Sequence, residues 1–296
     1  MIYENILLKI GNTPTVRLRG FENGQGAEIY AKLEGENPTG SIKDRVALNM
    51  IEMAERRGDL KPGMTILEAT SGNMGISLAM VGARRGYPVH IVMSERMSSE
   101  RGFLVKSYGA RLELTGGDSG TMGALERARE LVEGDPGRYW LSDQFNNTDN
   151  TEAHYRGTAA ELLRDLKDIG AVVAGVGTGG TLMGIARRFR EYSPETRVFA
   201  VIPPGGYRIQ GLQNPEEDFS GEVFRPDIVD DRIYVSRRDA FLTARRLARE
   251  DGIFAGMSSG AAVCAAEKVA DITGVGKIAV IIPDRGDKYL STGLFE

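Results

Sequence analysis

The sequence has few of the residues that disulfides and metal centres need. It contains one cysteine, Cys264, and two histidines, His90 and His154, in 296 residues. One cysteine excludes an intramolecular disulfide, and two separated histidines are fewer ligands than a zinc site usually takes. Cys264 lies in the alanine-rich stretch "GAAVCAAEKVA", which favours a buried thiol over a reactive nucleophile. We therefore expect no metal centre.

The sequence also lacks a dominant charge and a long apolar run. Its 37 basic and 41 acidic side chains leave a formal net charge of −4, so no electrostatic argument favours nucleic acid or an anionic membrane as a partner. No run reaches the length of a membrane span, and the N-terminus lacks the basic and apolar regions of a signal peptide. We expect a cytoplasmic protein.

Short apolar runs alternate with amphipathic segments along most of the chain. Runs such as "MTILEAT", "PVHIVMS" and "KIAVIIP" favour strands, and segments such as "IKDRVALNMIEMAERRG" favour helices that end on a glycine. This order predicts an α/β fold in which parallel sheets are flanked by helices.

The Asn- and Asp-rich segment "WLSDQFNNTDNTEAHY" interrupts this alternation in mid-chain. We interpret it as the connection between two lobes. The predicted N-terminal α/β lobe spans residues 1–145, with its first strands crossing to the other lobe, and the predicted C-terminal α/β lobe spans residues 146–296. A second irregular segment covers residues 203–227, and long loops in compact domains often carry function.

The glycine-rich stretch "GVGTGGTLMG" directly follows the apolar strand "AVVAG". Its glycines allow a ligand to approach the backbone closely, the hydroxyls of Thr178 and Thr181 add donors, and a helix N-terminus favours an anion. These features predict a phosphate site. The stretch is not the dinucleotide-binding G-x-G-x-x-G and it lacks the lysine of a nucleotide P-loop. A tight strand–helix turn without a ligand is the alternative.

Two further loops place polar residues between a strand and a helix. In "ATSGN", Thr70, Ser71 and the loop amides are candidates for holding a carboxylate, and Asn73 for donating to a ligand oxygen; helix capping is the alternative. In "NPTGSIKDR", Lys43 opens the next helix. An isolated lysine there is usually solvated, but beside a phosphate loop it becomes a candidate for a Schiff base with an aldehyde cofactor.

Five stretches together resemble one family of enzymes. "PTGSIKDR", "TSGN" followed by "GISLA", "GTGGT", "GIFAGMSSGAA" and "KYLSTG" occur in the order and context of the pyridoxal-phosphate enzymes of the cysteine synthase family. The resemblance covers essentially the whole chain, and "DRGDKYLSTG" is more similar to the B branch than to the A branch. It implies the two-lobed fold type II (tryptophan synthase β-like) architecture, pyridoxal 5′-phosphate as cofactor and a homodimer.

The resemblance also assigns roles to individual residues. Lys43 corresponds to the lysine that forms the Schiff base and moves the α-proton, and Asn73 to the residue that hydrogen-bonds the cofactor's ring hydroxyl oxygen. Ser258 corresponds to the hydroxyl that faces the pyridine nitrogen, with Ser259 as the weaker candidate. The phosphate loop corresponds to Gly177, Thr178, Gly179, Gly180 and Thr181, and the substrate-carboxylate group to Thr70, Ser71 and Gln144.

The implied activity is β-replacement on an O-activated serine. The cofactor ring takes up charge when Lys43 removes the α-proton, the leaving group departs, and a nucleophile such as sulfide adds at the β-carbon. O-acetyl-L-serine is the expected substrate and L-cysteine the expected product. β-Replacement or elimination on cysteine itself, as in a β-cyanoalanine synthase or a cysteine desulfhydrase, remains an alternative. A regulatory cofactor-bound protein with little turnover is disfavoured because every catalytic position is present.

Two positions depart from the family pattern. Met74 stands where the family usually has threonine, which removes a hydroxyl from the substrate loop and places apolar bulk near the β-carbon; packing without an effect on substrate choice is the alternative. Gln213 stands near a point where enzymes that use O-phosphoserine, and the B branch generally, tend to have arginine, and Arg208 lies a few residues earlier. The second departure weakens the case for O-phosphoserine.

Overall fold

A computed structural model describes residues 2–21, 26–70, 72–217 and 221–296, apart from the side chain of Ser119. Ser71, which we predicted to bind substrate, lies outside the described residues. Within them the protein is a mixed α/β structure with two sheets. None of the described helices is long and apolar enough to cross a membrane.

The larger sheet has six strands in the order β1-β2-β10-β7-β8-β9. Only β1 pairs antiparallel, with β2; the other neighbours are parallel. Its strands are β1 (Thr15–Arg17), β2 (Glu28–Leu33), β7 (Ala171–Gly175), β8 (Arg197–Ile202), β9 (Asp231–Tyr234) and β10 (Lys277–Ile282).

The smaller sheet has four parallel strands in the order β5-β4-β3-β6. They are β3 (Thr65–Ala69), β4 (Val89–Ser94), β5 (Arg111–Thr115) and β6 (Tyr139–Leu141). Every residue of β4 is buried, as expected for an inner parallel strand that is covered by helices on both faces.

Helices connect the parallel strands and cover both sheets. They are α1 (Lys43–Arg57), α2 (Asn73–Arg85), α3 (Ser99–Ser107), α4 (Gly120–Gly134), α5 (Asp149–Arg156), α6 (Thr158–Asp165), α7 (Gly180–Tyr192), α8 (Arg237–Glu250) and α9 (Met257–Thr273). Helices α1 and α2 end at Gly58 and Gly86, which adopt left-handed backbone angles, so the glycine signals predicted these ends correctly.

Each sheet carries an apolar cluster on both faces. Alternate residues of the inner strands belong to opposite clusters: Val173 and Val280 pack on one face of the larger sheet, and Val172 and Ala279 on the other. The same alternation divides the smaller sheet. The predicted class, parallel sheets between helices, is confirmed.

Two features of the chain path concern the predicted lobes. Strands β1 and β2 belong to the sheet whose other strands all come after residue 170. The polar segment that we interpreted as a connection contains α5, which packs between α1 and α7. The division of the chain between residues 145 and 146 stays a prediction.

A buried ion-pair network fixes the first turn of α1. Arg45 donates from Nε to Oε2 of Glu34 over 2.7 Å and from Nη1 to Oε1 of Glu161 over 2.6 Å. Lys32 lies 2.8 Å from the other oxygen of Glu161. Although burial raises the pKa of Glu161, hydrogen bonds from Arg45 and Lys32 lower it to about 2. The network therefore ties β2, α1 and α6 together two residues from Lys43.

Candidate active site

The polar loops that we identified in the sequence lie at the carboxyl ends of parallel strands. The loop before α2 follows β3, and the loop before α7 follows β7. Asp284 follows β10 at the same edge, and its Oδ2 accepts a hydrogen bond from Asn73 over 2.7 Å. This contact joins the carboxyl edges of the two sheets, and we call the region between these edges the cleft; ligands of α/β proteins bind at such edges.

Lys43 is the first residue of α1 and lies partly open to the cleft. Burial lowers the pKa of Lys43 from 10.5 to about 8, while the carboxylate of Glu68 acts in the opposite direction. Roughly a tenth of the side chain is therefore the neutral amine at pH 7, far more than a pKa of 10.5 would give. That form is the one able to attack an aldehyde or accept a proton.

Glu68, on β3, is a buried carboxyl group that we did not predict. Its Oε2 accepts hydrogen bonds from the hydroxyl of Ser142 and from the backbone N–H of Gln144. Burial raises the pKa of Glu68 from 4.5 to about 7, against the effect of these hydrogen bonds. The site therefore holds an acid and an amine whose pKa values have moved towards each other.

The predicted phosphate loop, residues 177–181, forms the start of α7. Gly179 has a φ of +93°, a conformation that glycine adopts without strain. A Cβ on Gly180 would lie 2.0 Å from Oδ1 of Asn150, so a larger residue there would displace the Asn150 side chain that binds Thr178. The first backbone N–H groups of a helix have no partner within it, which is the feature on which the anion prediction depends.

Asn150 and His154, both on α5, contact this loop through their polar side chains. Asn150 Nδ2 donates to Oγ1 of Thr178 over 2.8 Å and to the carbonyl oxygen of Gln144 over 2.8 Å. His154 Nε2 lies 3.2 Å from Oγ1 of Thr181. Burial lowers the pKa of His154 well below 6.5, and the nearby cations of Lys43 and Arg45 lower it further, so its ring is neutral.

Sequence reasoning missed both α5 residues because we interpreted their segment as a connection. The signal was present in that segment. Its polar side chains recur at intervals of four, Asn150 and His154, and both are fully buried. Buried polar groups at helical spacing usually serve a hydrogen-bond network.

Asn73 begins α2 and is placed by two residues from the C-terminal part of the chain. Its amide nitrogen donates to Oδ2 of Asp284, which also accepts from the hydroxyl of Tyr289 over 2.7 Å. The amide oxygen of Asn73 is buried without a hydrogen-bond partner among the described residues. Such an orphaned group at a cleft is expected where a ligand completes the site.

The remaining predicted residues, Thr70, Met74 and Ser258, are all buried, but their neighbours differ in polarity. Thr70 is buried, and its hydroxyl accepts from the N–H of Gly72 over 3.1 Å. Met74 is 1% exposed and belongs to the apolar cluster that includes Val46 and Ile91. Ser258 is buried in the first turn of α9. Membership of the core favours the packing interpretation of Met74.

Gln213, the second departure from the family pattern, lies against the phosphate loop. Its backbone N–H donates to the carbonyl oxygen of Val176 over 2.7 Å. A Cβ on Gly211, two residues earlier, would lie 3.2 Å from the hydroxyl of Ser258. The segment that contains Gln213 is therefore packed between the phosphate loop and α9.

Comparisons with known proteins agree with this geometry. The family described as "Pyridoxal-phosphate dependent enzyme" matches residues 6–284. The chain belongs to this family. It is 43% identical over 287 residues to cysteine synthase B of Escherichia coli, covering 97% of this chain and 94% of that protein.

Two solved structures extend the comparison. The cysteine synthase of Entamoeba histolytica is 41% identical, with a TM-score of 0.94 that covers 100% of this chain and 91% of that one. A hydrogen sulfide-producing enzyme of Fusobacterium nucleatum is 38% identical, with a TM-score of 0.91 over 98% of this chain and 100% of that one. As in these pyridoxal-phosphate enzymes of fold type II, parallel sheets flanked by helices form the framework here.

The residues of the cleft fit the family's cofactor. Pyridoxal 5′-phosphate needs an amine of lowered pKa, an anion-binding loop and donors for its ring. Lys43 has the first property, and the helix N-terminus at Gly180 supplies the second. The amide nitrogen of Asn73 has a second hydrogen beyond the one it donates to Asp284, and this N–H and the hydroxyl of Ser258 are the candidate ring donors at the starts of α2 and α9.

Proposed function

We propose that the protein is a cysteine synthase, a transferase that uses pyridoxal 5′-phosphate to make L-cysteine from O-acetyl-L-serine and sulfide. The observation that carries the proposal is the Lys43 amine, with its pKa lowered to about 8, in a chain that is 43% identical over 287 residues to a cysteine synthase B. The cofactor, when bound, supplies a conjugated ring that takes up the charge left on the α-carbon.

The phosphate loop is proposed to hold the cofactor phosphate. Gly177, Thr178, Gly179, Gly180 and Thr181 offer backbone N–H groups and two hydroxyls at a helix N-terminus. The bond from Asn150 to Thr178 supports this role because it fixes one of those hydroxyls. Asn73 is proposed to bind the ring hydroxyl oxygen, and Ser258 to face the ring nitrogen.

Lys43 is proposed to carry the cofactor and to move the α-proton of the substrate. The pKa of about 8 supports both roles, because a base works best when its pKa lies near the working pH. Glu68 stabilises the ammonium form of Lys43 once the proton has been taken. Burial of both groups strengthens that interaction.

Thr70, Ser71 and Gln144 are proposed to hold the substrate's α-carboxylate, with Met74 close to the β-carbon. The packing of Gln144 supports this role. Its backbone N–H is fixed by Glu68 and its carbonyl oxygen by Asn150. A residue held at both backbone groups can present its side chain at little cost in entropy, and its Nε2, which donates to Oε1 of Glu68 over 3.4 Å, has a second hydrogen for the carboxylate.

A second candidate reaction is β-replacement or elimination on cysteine with release of sulfide. The similarity to the hydrogen sulfide-producing enzyme of Fusobacterium nucleatum supports this second reaction. O-phosphoserine is a weaker candidate because an uncharged side chain stands at Gln213.

The finer assignments on assembly and location are also proposals. We propose a homodimer, supported by the exposed apolar side chains Ile2, Ile6 and Leu8 near the N-terminus. We also propose lobes of residues 1–145 and 146–296, with β1 and β2 serving the second lobe, and a cytoplasmic location without nucleic-acid or membrane partners. Light scattering on the purified protein tests the dimer.

Mixing experiments test the function. The holoenzyme should absorb visible light through its cofactor, and Lys43→Ala should lose the absorbance of the lysine-bound form. O-acetyl-L-serine should change the spectrum, and sulfide should restore it as cysteine accumulates. If cysteine alone changes the spectrum, with sulfide released, the rival reaction is correct. A protein that stays colourless after reconstitution overturns both.

A further inference from the structure

Arg101, on α3, is a buried arginine in the wall of the cleft. Its side chain is 3% exposed. Nη1 donates to Oγ of Ser98 over 2.9 Å and to Oε1 of Gln210 over 2.7 Å, and the guanidinium lies 4.8 Å from the ring centroid of Tyr289. All three partners are uncharged. Among the described residues the direct partners of Arg101 are therefore neutral, and the carboxylate of Asp284 accepts from the hydroxyl of that same Tyr289.

The surroundings of Arg101 differ from those of the other arginine buried near the site. Arg45 has two carboxylates, Glu34 and Glu161, within 2.7 Å. Arg101 forms no ion pair with the described residues, and its Nε is buried without a hydrogen-bond partner among them. Burial of an unpaired cation is costly, so an anion is expected to complete the site.

Gly72 is the described residue that lies against the unpartnered Nε. A Cβ built on Gly72 would lie 2.4 Å from both Cδ and Nε of Arg101. Arg101 therefore lies directly against Gly72, which stands between Thr70 and Asn73 in the chain. The side chains proposed to hold the substrate carboxylate, from Thr70, Ser71 and Gln144, are all uncharged.

We propose that Arg101 is the counter-charge for the α-carboxylate of the amino-acid substrate, with Nε as its free donor. The proposal rests on the proposed function for the location of the carboxylate. A charge-assisted hydrogen bond in a buried site favours the ionised ligand over a neutral analogue of the same shape. Arg101 thus selects amino acids with a free carboxylate over their amides.

The test compares two ligands that differ only in this group. L-Alanine and L-alaninamide are titrated into the holoenzyme, and the change in cofactor absorbance gives a dissociation constant for each. The two amines differ in intrinsic reactivity, but this difference is the same for every variant. Comparing the ratio of the two dissociation constants between variants therefore removes it. Arg101→Met should lower the preference for alanine at least about tenfold, and Arg101→Lys should recover part of it.

Arg96→Met is the matched control, because Arg96 is an exposed arginine that precedes the same helix. It should keep the wild-type ratio. The unfolding temperature of ligand-free protein separates binding from a structural role. Arg101→Met should not lower it, since the substitution removes a buried unpaired charge.

Two outcomes overturn the proposal. One is an unchanged ratio in Arg101→Met, with or without a loss of thermal stability, and the other is a wild-type enzyme that responds equally to both ligands or to neither. Failure of the proposed function looks different. The carboxylate preference would persist while O-acetyl-L-serine and sulfide gave no cysteine.

Discussion

The amide nitrogen of Asn73 lies 2.7 Å from Oδ2 of Asp284, 211 residues further along the chain. One residue begins α2 beside the smaller sheet, and the other follows β10 of the larger sheet. The same carboxylate oxygen accepts from Tyr289. The side chain that we propose to touch the cofactor ring is therefore oriented by the opposite side of the cleft.

Asp284→Ala should disturb both stability and cofactor binding. It leaves the Asn73 amide and the Tyr289 hydroxyl without their acceptor, and each buried unpaired group costs about 1–3 kcal/mol. We expect a lower free energy of unfolding and a shifted cofactor absorbance maximum. Asp287→Ala, which removes a half-exposed carboxylate three residues away, should change neither. Equal effects in the two variants would contradict the role of Asp284.

Gly180→Ala should abolish tight binding of the cofactor. The new Cβ would lie 2.0 Å from Oδ1 of Asn150, so the Asn150 side chain must leave its place and give up its bond to Thr178, or the loop must move. Gly134→Ala is the control, because a Cβ there meets nothing within 4 Å. Equilibrium dialysis with pyridoxal 5′-phosphate measures the difference. Wild-type affinity in Gly180→Ala would show that the loop does not hold the phosphate.

The capture of cofactor by cofactor-free protein should depend on pH through Lys43. Because burial lowers the pKa of Lys43 to about 8, the reactive neutral amine accumulates as the pH rises through 8 rather than through 10.5. The second-order rate of absorbance recovery should rise with pH and level off above about pH 8. A rate that is still rising steeply above pH 10 would contradict the lowered pKa.

Glu68→Gln tests whether the Glu68 carboxylate keeps the pKa of Lys43 from falling further. The Glu68 carboxylate raises the pKa of Lys43, so its removal should move the midpoint of cofactor capture to lower pH. Glu55→Gln, which changes a partly exposed carboxylate on the same helix as Lys43, should leave the midpoint in place.

The raised pKa of Glu68 also predicts how stability depends on pH. The folded protein keeps the Glu68 proton up to about pH 7, whereas the unfolded chain loses it near 4.5. The contribution of Glu68 to the free energy of unfolding is therefore fully present below pH 4.5 and is lost as the pH rises through 7. Glu68→Gln should therefore be more stable than wild type at pH 8, by roughly 3 kcal/mol at most, but not at pH 4. Urea unfolding at both values checks this; a gain at pH 4 alone would contradict it.

Met74→Thr should lower stability more than it changes substrate preference. Met74 is 1% exposed within an apolar cluster, and replacing it leaves a cavity and buries a hydroxyl, together about 2–5 kcal/mol. Met74→Leu should cost less than about 1.5 kcal/mol. The ratio of activities with O-acetyl-L-serine and cysteine should be the same in all three proteins. A shift of that ratio towards O-acetyl-L-serine in Met74→Thr would show that the side chain reaches the substrate.

The sequence predicted the elements whose signal is local. Strand β4 is a continuous apolar run, and α1 shows amphipathic periodicity with a glycine at its end, so both were found. Helix α5 was not, because it buries polar side chains such as Asn150 and His154 against other polar groups. Hydropathy carries no signal for a helix of that kind.

The sequence predicted only part of the site, and the reason is a different one. Loop composition and family resemblance pointed to Lys43 and to the phosphate loop. Glu68, Arg101 and Asp284 act through contacts with residues far away in the chain. Their importance depends on burial and on which groups face them, and neither can be read from neighbouring letters.

The pairing of β2 with β10 has a consequence for how this protein can be made or divided. Residues 28–33 lie beside residues 277–282, so the larger sheet cannot close until the last strand has been synthesised. While the rest of the chain is synthesised, β2 lacks its neighbour β10, and its open edge is exposed to other chains. A fragment that begins after residue 145 would carry the same open edge along β10. Separate expression of the two halves is therefore expected to give aggregation, and mixing of both halves is expected to relieve it.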